Sequence, residues 1–194
     1  MSIKKKIEEL KEELLLEEAS RMFEESGYGQ MRVVDLAKTA KVSVGTIYSL
    51  FQSKEGLYLA YIEHQINNFF TELQQRVSID TTPKQKMHNY IELKFSYYTH
   101  KRKAIEQSAT NNPLFFNTTY SEHSKPFQKI YYYLSECFME LNPKLDSESA
   151  ITMAFAFNGF SDGYISQWLE SGNNLLDKVD EVTALFTGMI EGCK

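Results

Sequence analysis

Asp35-Leu-Ala-Lys-Thr-Ala-Lys-Val-Ser-Val-Gly-Thr-Ile-Tyr-Ser-Leu-Phe-Gln-Ser-Lys54 reads as two short helices joined by a tight turn. Apolar Leu36, Ala37 and Ala40 recur at helical spacing before the turn, Val42 bridges it, and Ile47, Leu50 and Phe51 resume the pattern beyond it. Polar Thr46, Tyr48 and Ser49 are left to face outward. Ser43 stands where an N-cap oxygen is needed, and Ser53 does the same before Lys54-Glu55, so two helix starts flank one short helix. This is the build of a helix-turn-helix DNA reader, in which the second helix enters the major groove.

Working outward, residues 3–26 read as a long first helix with Ile7, Leu10, Leu14, Leu15, Ala19, Met22 and Phe23 on one stripe and Gly27 closing its end. A fourth helix is expected from Lys54 to near Val77. Thr82-Pro83 supplies an N-cap and a first-turn proline, opening a helix that runs to near His100. Asn111-Asn-Pro113, the polar stretch 117–124 and Asn142-Pro143 are loop punctuation. Two long helices follow near 147–170 and 175–191, parted by Ser171-Gly172-Asn173. No stretch reads as a sheet, so the fold class is all-α.

A chain of 194 residues is long enough for one large domain or two small ones around a substantial apolar core. No apolar run approaches the length of a membrane span, roughly 18–20 residues, and neither a span nor a signal peptide is expected. The expected location is cytoplasmic, with no membrane partner. Cys137 and Cys193 are far apart and lack metal-type spacing, as free thiols of a reducing compartment do. His64, His88, His100 and His123 share no helical turn, and no nucleophile elbow or phosphate-cradling glycine loop is present. The chain is therefore not expected to be an enzyme, nor to hold a cofactor or a metal. The net charge of −5 argues against nucleic acid only until its distribution is read. Between Ser26 and Lys54 the charges are Arg32, Lys38, Lys41 and Lys54 against Asp35 alone, a local basic face able to release phosphate counterions.

Over residues 15–60 the chain resembles the TetR family of bacterial transcription regulators. The matching motifs are Leu15-Leu-Glu-Glu-Ala-Ser-Arg-Met-Phe23 with Gly27-Tyr28, Val33-Val-Asp-Leu-Ala37, Val42-Ser43, Gly45-Thr-Ile-Tyr48 and Phe51-Gln-Ser-Lys-Glu55. Three places depart from the family pattern. Met31-Arg32 stand where relatives open the second helix with Thr or Ser, Lys41 replaces a Gly, and Val44 replaces a polar or basic residue. The resemblance implies a DNA-binding domain over residues 1–53 and a helical effector-binding and dimerisation domain over 54–194, with about nine helices in all.

Candidate DNA contacts are Arg32, Ser43, Val44, Gly45, Thr46, Tyr48, Ser49 and Lys54. Thr46 and Tyr48 carry hydroxyls for phosphate oxygens, although Tyr48 also fits as packing over the turn. Gly45 near a helix start costs roughly 1 kcal/mol relative to Ala, so its backbone closely approaches either DNA or the preceding helix. Lys54 would clamp a phosphate at the start of the fourth helix. Val44 cannot make a bidentate guanine contact but can pack on a thymine methyl, which points to an A·T-rich operator read partly by shape. Lys4-Lys5-Lys6 is either a solvated, frayed start or a basic arm for the DNA backbone.

Beyond Lys54 the chain is rich in aromatics, which at helical spacing fit either a core or an apolar cavity with polar handles. Candidate effector contacts are Phe95, Tyr98, Phe116, Tyr120, Tyr131, Phe155, Asn158 and Trp168. The resemblance implies a small-molecule effector, here lipophilic or aromatic, that moves paired reader heads out of register with the operator. One head spans few base pairs, so specificity calls for a homodimer with heads about 34–36 Å apart. The expected dimer stripes are Ile151, Ala154, Phe155, Asn158, Gly159 and Asp162 on one helix, and Val182, Leu185, Phe186, Met189 and Ile190 on the next; the alternative is that these stripes close the monomer's own core. These features point to a ligand-responsive regulator, most readily a repressor. The alternative is a chromosome-organising factor of the same fold without an effector.

Overall fold

A computed structural model of the chain describes residues 2–102 and 125–193. Within them every regular element is helical. They are α1 (Ile3–Gln30), α2 (Val33–Thr39), α3 (Val44–Phe51), α4 (Lys54–Gln75), α5 (Pro83–His100), α6 (Lys125–Leu141), α7 (Ser147–Ser171), a 3-10 turn (Leu175–Lys178) and α8 (Val179–Gly192). The expected loops over 111–113 and 117–124, and with them Phe116 and Tyr120, lie outside the described residues. The described chain falls into two compact units, residues 2–67 and residues 68–102 with 125–193, and α4 passes from one into the other.

The first unit is built around the helix-turn-helix. Its core takes Leu15, Leu16, Ala19 and Phe23 from α1, Met31 from the connection, Val33, Leu36 and Ala37 from α2, Ile47 and Phe51 from α3, and Leu57 and Tyr61 from α4. Each full burial of a Leu, Ile or Phe contributes about 1.5–3 kcal/mol. Val42 and Leu50 pack against the same cluster, as the spacing around the turn predicts. The local chemistry is also as expected: Ser43 caps α3, and Ser53 Oγ accepts the Gly56 N–H at 2.9 Å.

One expectation for α1 is corrected. Its apolar stripe is buried only from Leu15 onward, because the other helices of this unit meet α1 along its C-terminal half. Ile3, Ile7, Leu10 and Leu14 are exposed by 79, 55, 56 and 55%. Gly27 does close the main run of the helix, as the sequence predicts. Gly27 leaves the helical region at φ 73°, ψ 165°, and a last turn runs on to Gln30, after which the Met31 N–H returns to the Gly27 carbonyl at 3.1 Å.

Lys41, in the turn between α2 and α3, has φ 54°. That is the left-handed region, where a Cβ crowds the following carbonyl and costs about 1–2 kcal/mol. The family's glycine at this place has a physical reason, and this chain carries the strain instead. Lys41→Gly is expected to raise stability by about 1 kcal/mol, read as an upward shift in the denaturant midpoint.

The second unit packs α5, α6, α7 and α8 around Phe95, Phe138, Phe157 and Phe186, all buried, with Phe157 and Phe186 ring centroids 4.4 Å apart. Helix α5 opens with a full capping box. Thr82 Oγ1 accepts the Gln85 N–H at 3.3 Å, Gln85 Oε1 accepts the Thr82 N–H at 2.9 Å, and Pro83 follows the cap. Helix α7 begins on an Asp146 cap and ends at Gly172. The segment expected as one helix from 175 starts as the 3-10 turn and becomes α-helical only at Val179.

Candidate nucleic-acid interface

The short helix α3 holds most of the candidate reading residues because its cap and its apolar face are fixed independently. Ser43 Oγ accepts the Thr46 N–H at 3.0 Å and lies 2.9 Å from Thr46 Oγ1, so one side chain starts the helix and orients its first outward hydroxyl. Ile47 and Phe51 anchor the opposite face in the core. Tyr48 is 44% exposed, Ser49 is exposed, and Val44 is half-buried against the core cluster. Gly45 is exposed, and a Cβ there would meet only Ser43 Oγ at 3.6 Å. Close approach to the preceding helix therefore does not account for this glycine.

Lys54 is held at the start of α4. Its ammonium sits 4.6 Å from the Tyr28 ring centroid and 3.5 Å from the Gly29 carbonyl oxygen, and partial burial lowers its pKa below the ordinary lysine value. Tyr28 in turn packs on Tyr58, 4.8 Å between centroids. Sequence reasoning matched Gly27-Tyr28 to a motif without seeing that the tyrosine positions this lysine. Arg32 reaches Asp35 at 3.5 Å and is otherwise exposed. A polar groove runs along Ser43, Gly45, Thr46, Ser49 and Leu50, and its other wall is Glu8 and Lys11 of α1. Neither α1 residue was singled out from the sequence, since their spacing marks only a solvated face.

The second candidate set is scattered through the helical body. Phe95 is wholly buried, Tyr131 is buried and stacked on the 45% exposed Phe155 at 3.9 Å, and Trp168 is buried under the Arg102 guanidinium at 4.8 Å. Tyr98 is half-buried. Asn158 belongs to a polar network that sequence reasoning missed. Its Oδ1 accepts the Tyr90 hydroxyl at 2.9 Å and the Lys94 ammonium at 2.7 Å. Lys94 Nζ also donates to Ser161 Oγ at 2.8 Å and pairs with Asp162 Oδ1 at 2.7 Å. Burial pulls the Lys94 pKa down, and Asp162 opposes that pull.

The expected dimer stripes are re-sorted by burial. Ala154, Asn158, Val182, Phe186 and Ile190 face the body's own core, whereas Phe155, Gly159, Leu185 and Met189 are exposed. Helices α7 and α8 carry apolar residues on two faces, so the period alone cannot separate them. Cys137 is buried, which pushes its thiol up to about 12, so the reactive thiolate is scarce near neutral pH. Among the described residues no group of His, Cys and acidic side chains could hold a metal ion, and no helix is long and apolar enough to cross a membrane.

Comparison with known proteins places these features. The model of the bacterial regulatory proteins of the tetR family matches residues 15–61, which hold the C-terminal half of α1, the helix-turn-helix and the start of α4. An HTH-type transcriptional regulator of Bacillus subtilis (strain 168), YuxN, whose function is uncharacterized, is 36% identical over 63 residues, 32% of this chain and 22% of its own length. A fatty acid metabolism regulator protein of the same organism is 29% identical over 82 residues, 42% of each chain. The aligned stretch thus spans well under half of these curated relatives. The transcriptional regulator FadR from Bacillus subtilis, solved in complex with stearoyl-CoA, shares the fold at a TM-score of 0.67 and 20% identity, over 89% of this chain and 96% of its own. Motif by motif and helix by helix, the reader over residues 15–61 matches the bacterial regulatory proteins of the tetR family.

Proposed function

We propose that the chain is a ligand-responsive transcriptional repressor that binds a palindromic operator as a homodimer and releases it when a long-chain acyl thioester occupies the helical body. The observation that carries the DNA half is α3 itself. It is capped by Ser43, anchored by Ile47 and Phe51, and turns Thr46, Tyr48 and Ser49 outward beside the cations of a local basic face. Arg32, Val44 and Gly45 complete the reading set within residues 1–53, and Lys54 adds to it from the start of the next helix. The effector half draws on the fatty-acid regulators to which the chain is similar and on the aromatic body of residues 54–194. The exposed Phe155, Gly159, Leu185 and Met189 are the dimer face. Gly159, Gly163 and Gly188 have nothing within 4 Å of where a Cβ would stand, leaving a second copy room to approach closely. The protein is a cytoplasmic DNA binder and not an enzyme.

The test is selection of bound genomic fragments at about 150 mM salt, near physiological screening, followed by titration of the selected operator complex with stearoyl-CoA. An enriched inverted repeat and a loss of operator affinity of about tenfold, equivalent to 1.4 kcal/mol of coupling, are expected, with free coenzyme A inert. Dispersed sites with affinity indifferent to acyl thioesters would replace this reading with the chromosome-organising one.

A further inference from the structure

The groove beside α3 has a wall that lies outside the segment matched to the tetR family. Helix α1 begins at Ile3, twelve residues ahead of the segment matched to the family, and Glu8 and Lys11 in that extension line the same groove as Ser43, Thr46 and Ser49. Both are exposed. Three other cations of this unit are already engaged: Lys5 with Glu9 at 3.8 Å, Arg21 with Glu18 and Glu25 at 2.6 Å, and Lys54 over Tyr28. Among the described residues no ion pair neutralises Lys11. The groove therefore offers a solvated ammonium on one side and outward hydroxyls on the other.

A helix seated in a major groove about 12 Å wide is flanked by the sugar-phosphate strands at the groove's edges. With α3 seated in this way, the strand on its α1 side would enter the space between Lys11 and the Thr46–Ser49 edge. We propose that Lys11 is a phosphate-contacting residue of the operator complex and that Glu8, in the same wall, opposes it. The α1 extension then sets how strongly, and how salt-dependently, the reader holds DNA of any sequence. This rests on the DNA-reading assignment of α3 given above.

The experiment measures the affinity of the full chain for its selected operator across a salt series, for the parent and for Lys11→Gln, Glu8→Gln and Lys5→Gln. Loss of one phosphate contact lowers the steepness of log K against log salt by about 0.9. Lys11→Gln is expected to give that change and to weaken selected and random DNA alike. Glu8→Gln is expected to tighten both about twofold, the size of a surface charge effect. Lys5→Gln, whose ammonium is paired with Glu9, is expected to leave the slope as it is. A parent that binds its operator specifically while Lys11→Gln keeps the full slope overturns the assignment of Lys11. A parent that enriches no specific DNA overturns instead the reading on which it rests.

Discussion

Asp162→Ala is expected to cost the helical body about 3–5 kcal/mol of stability, the usual penalty for leaving one member of a buried ion pair alone. Lys94 and Asp162 have side chains only 8% and 16% exposed, and the pair ties α5 to α7 at 2.7 Å. With the carboxylate gone, the Lys94 ammonium keeps Asn158 Oδ1 and Ser161 Oγ as acceptors but nothing to balance its charge. The partner experiment separates attraction from desolvation. In Lys94→Met with Asp162→Leu no buried charge remains, and such a replacement is commonly neutral or stabilising, so the double variant should lie within about 1 kcal/mol of the parent. Denaturant unfolding of the four proteins closes the cycle. A single variant costing less than the double would mean that the pair is solvated and does not organise the bundle.

That network marks where sequence reading stopped. Met87, Tyr90, Ile91, Lys94 and Phe95 lie on one helical stripe, all buried, but a lysine at such a position ordinarily marks a solvated edge. Only the fold places Asp162 opposite it. The expected polar handle Asn158 is consumed by the same network, so its chemistry was legible and its partners were not. The helix-turn-helix was readable because its determinants are local: a cap at Ser43, a core pair at Ile47 and Phe51, and a turn too short to rearrange. The capping box at Thr82 and Gln85 was half-read for the same reason. By contrast, the stripe from Ile7 to Leu14 has the right period and no helix of its unit to cover it. Helices α7 and α8 present apolar residues on two faces, and burial alone distinguishes core from candidate dimer surface.

Gly56→Ala is expected to cost about 3 kcal/mol, the upper end of overpacking penalties, and to weaken operator binding by more than tenfold. Ala is ordinarily the better helix residue by about 1 kcal/mol, so the sign is reversed by geometry. Between α3 and α4 the chain turns through Gln52 at φ 66°, the Ser53 N–H donates to the Phe51 carbonyl at 2.7 Å, and α4 starts directly against the end of α3. A Cβ on Gly56 would overlap the Phe51 carbonyl oxygen. Because the obstacle is backbone, no rotamer relieves it. The end of α3 must move, and with it the buried Phe51 and Ile47 that aim Thr46, Tyr48 and Ser49. Gly45→Ala is the control within the same helix pair. Its Cβ would meet Ser43 Oγ at an ordinary 3.6 Å, so the folded state accommodates it and stability rises by up to about 1 kcal/mol. On DNA the added methyl stands on the exposed reading edge, so Gly45→Ala should lose operator affinity while gaining stability. Denaturant midpoints and operator dissociation constants, measured on both variants, test the pair of signs. A Gly56→Ala protein as stable as the parent would mean that the α3–α4 junction relaxes without strain and that α3 is aimed by its core face alone.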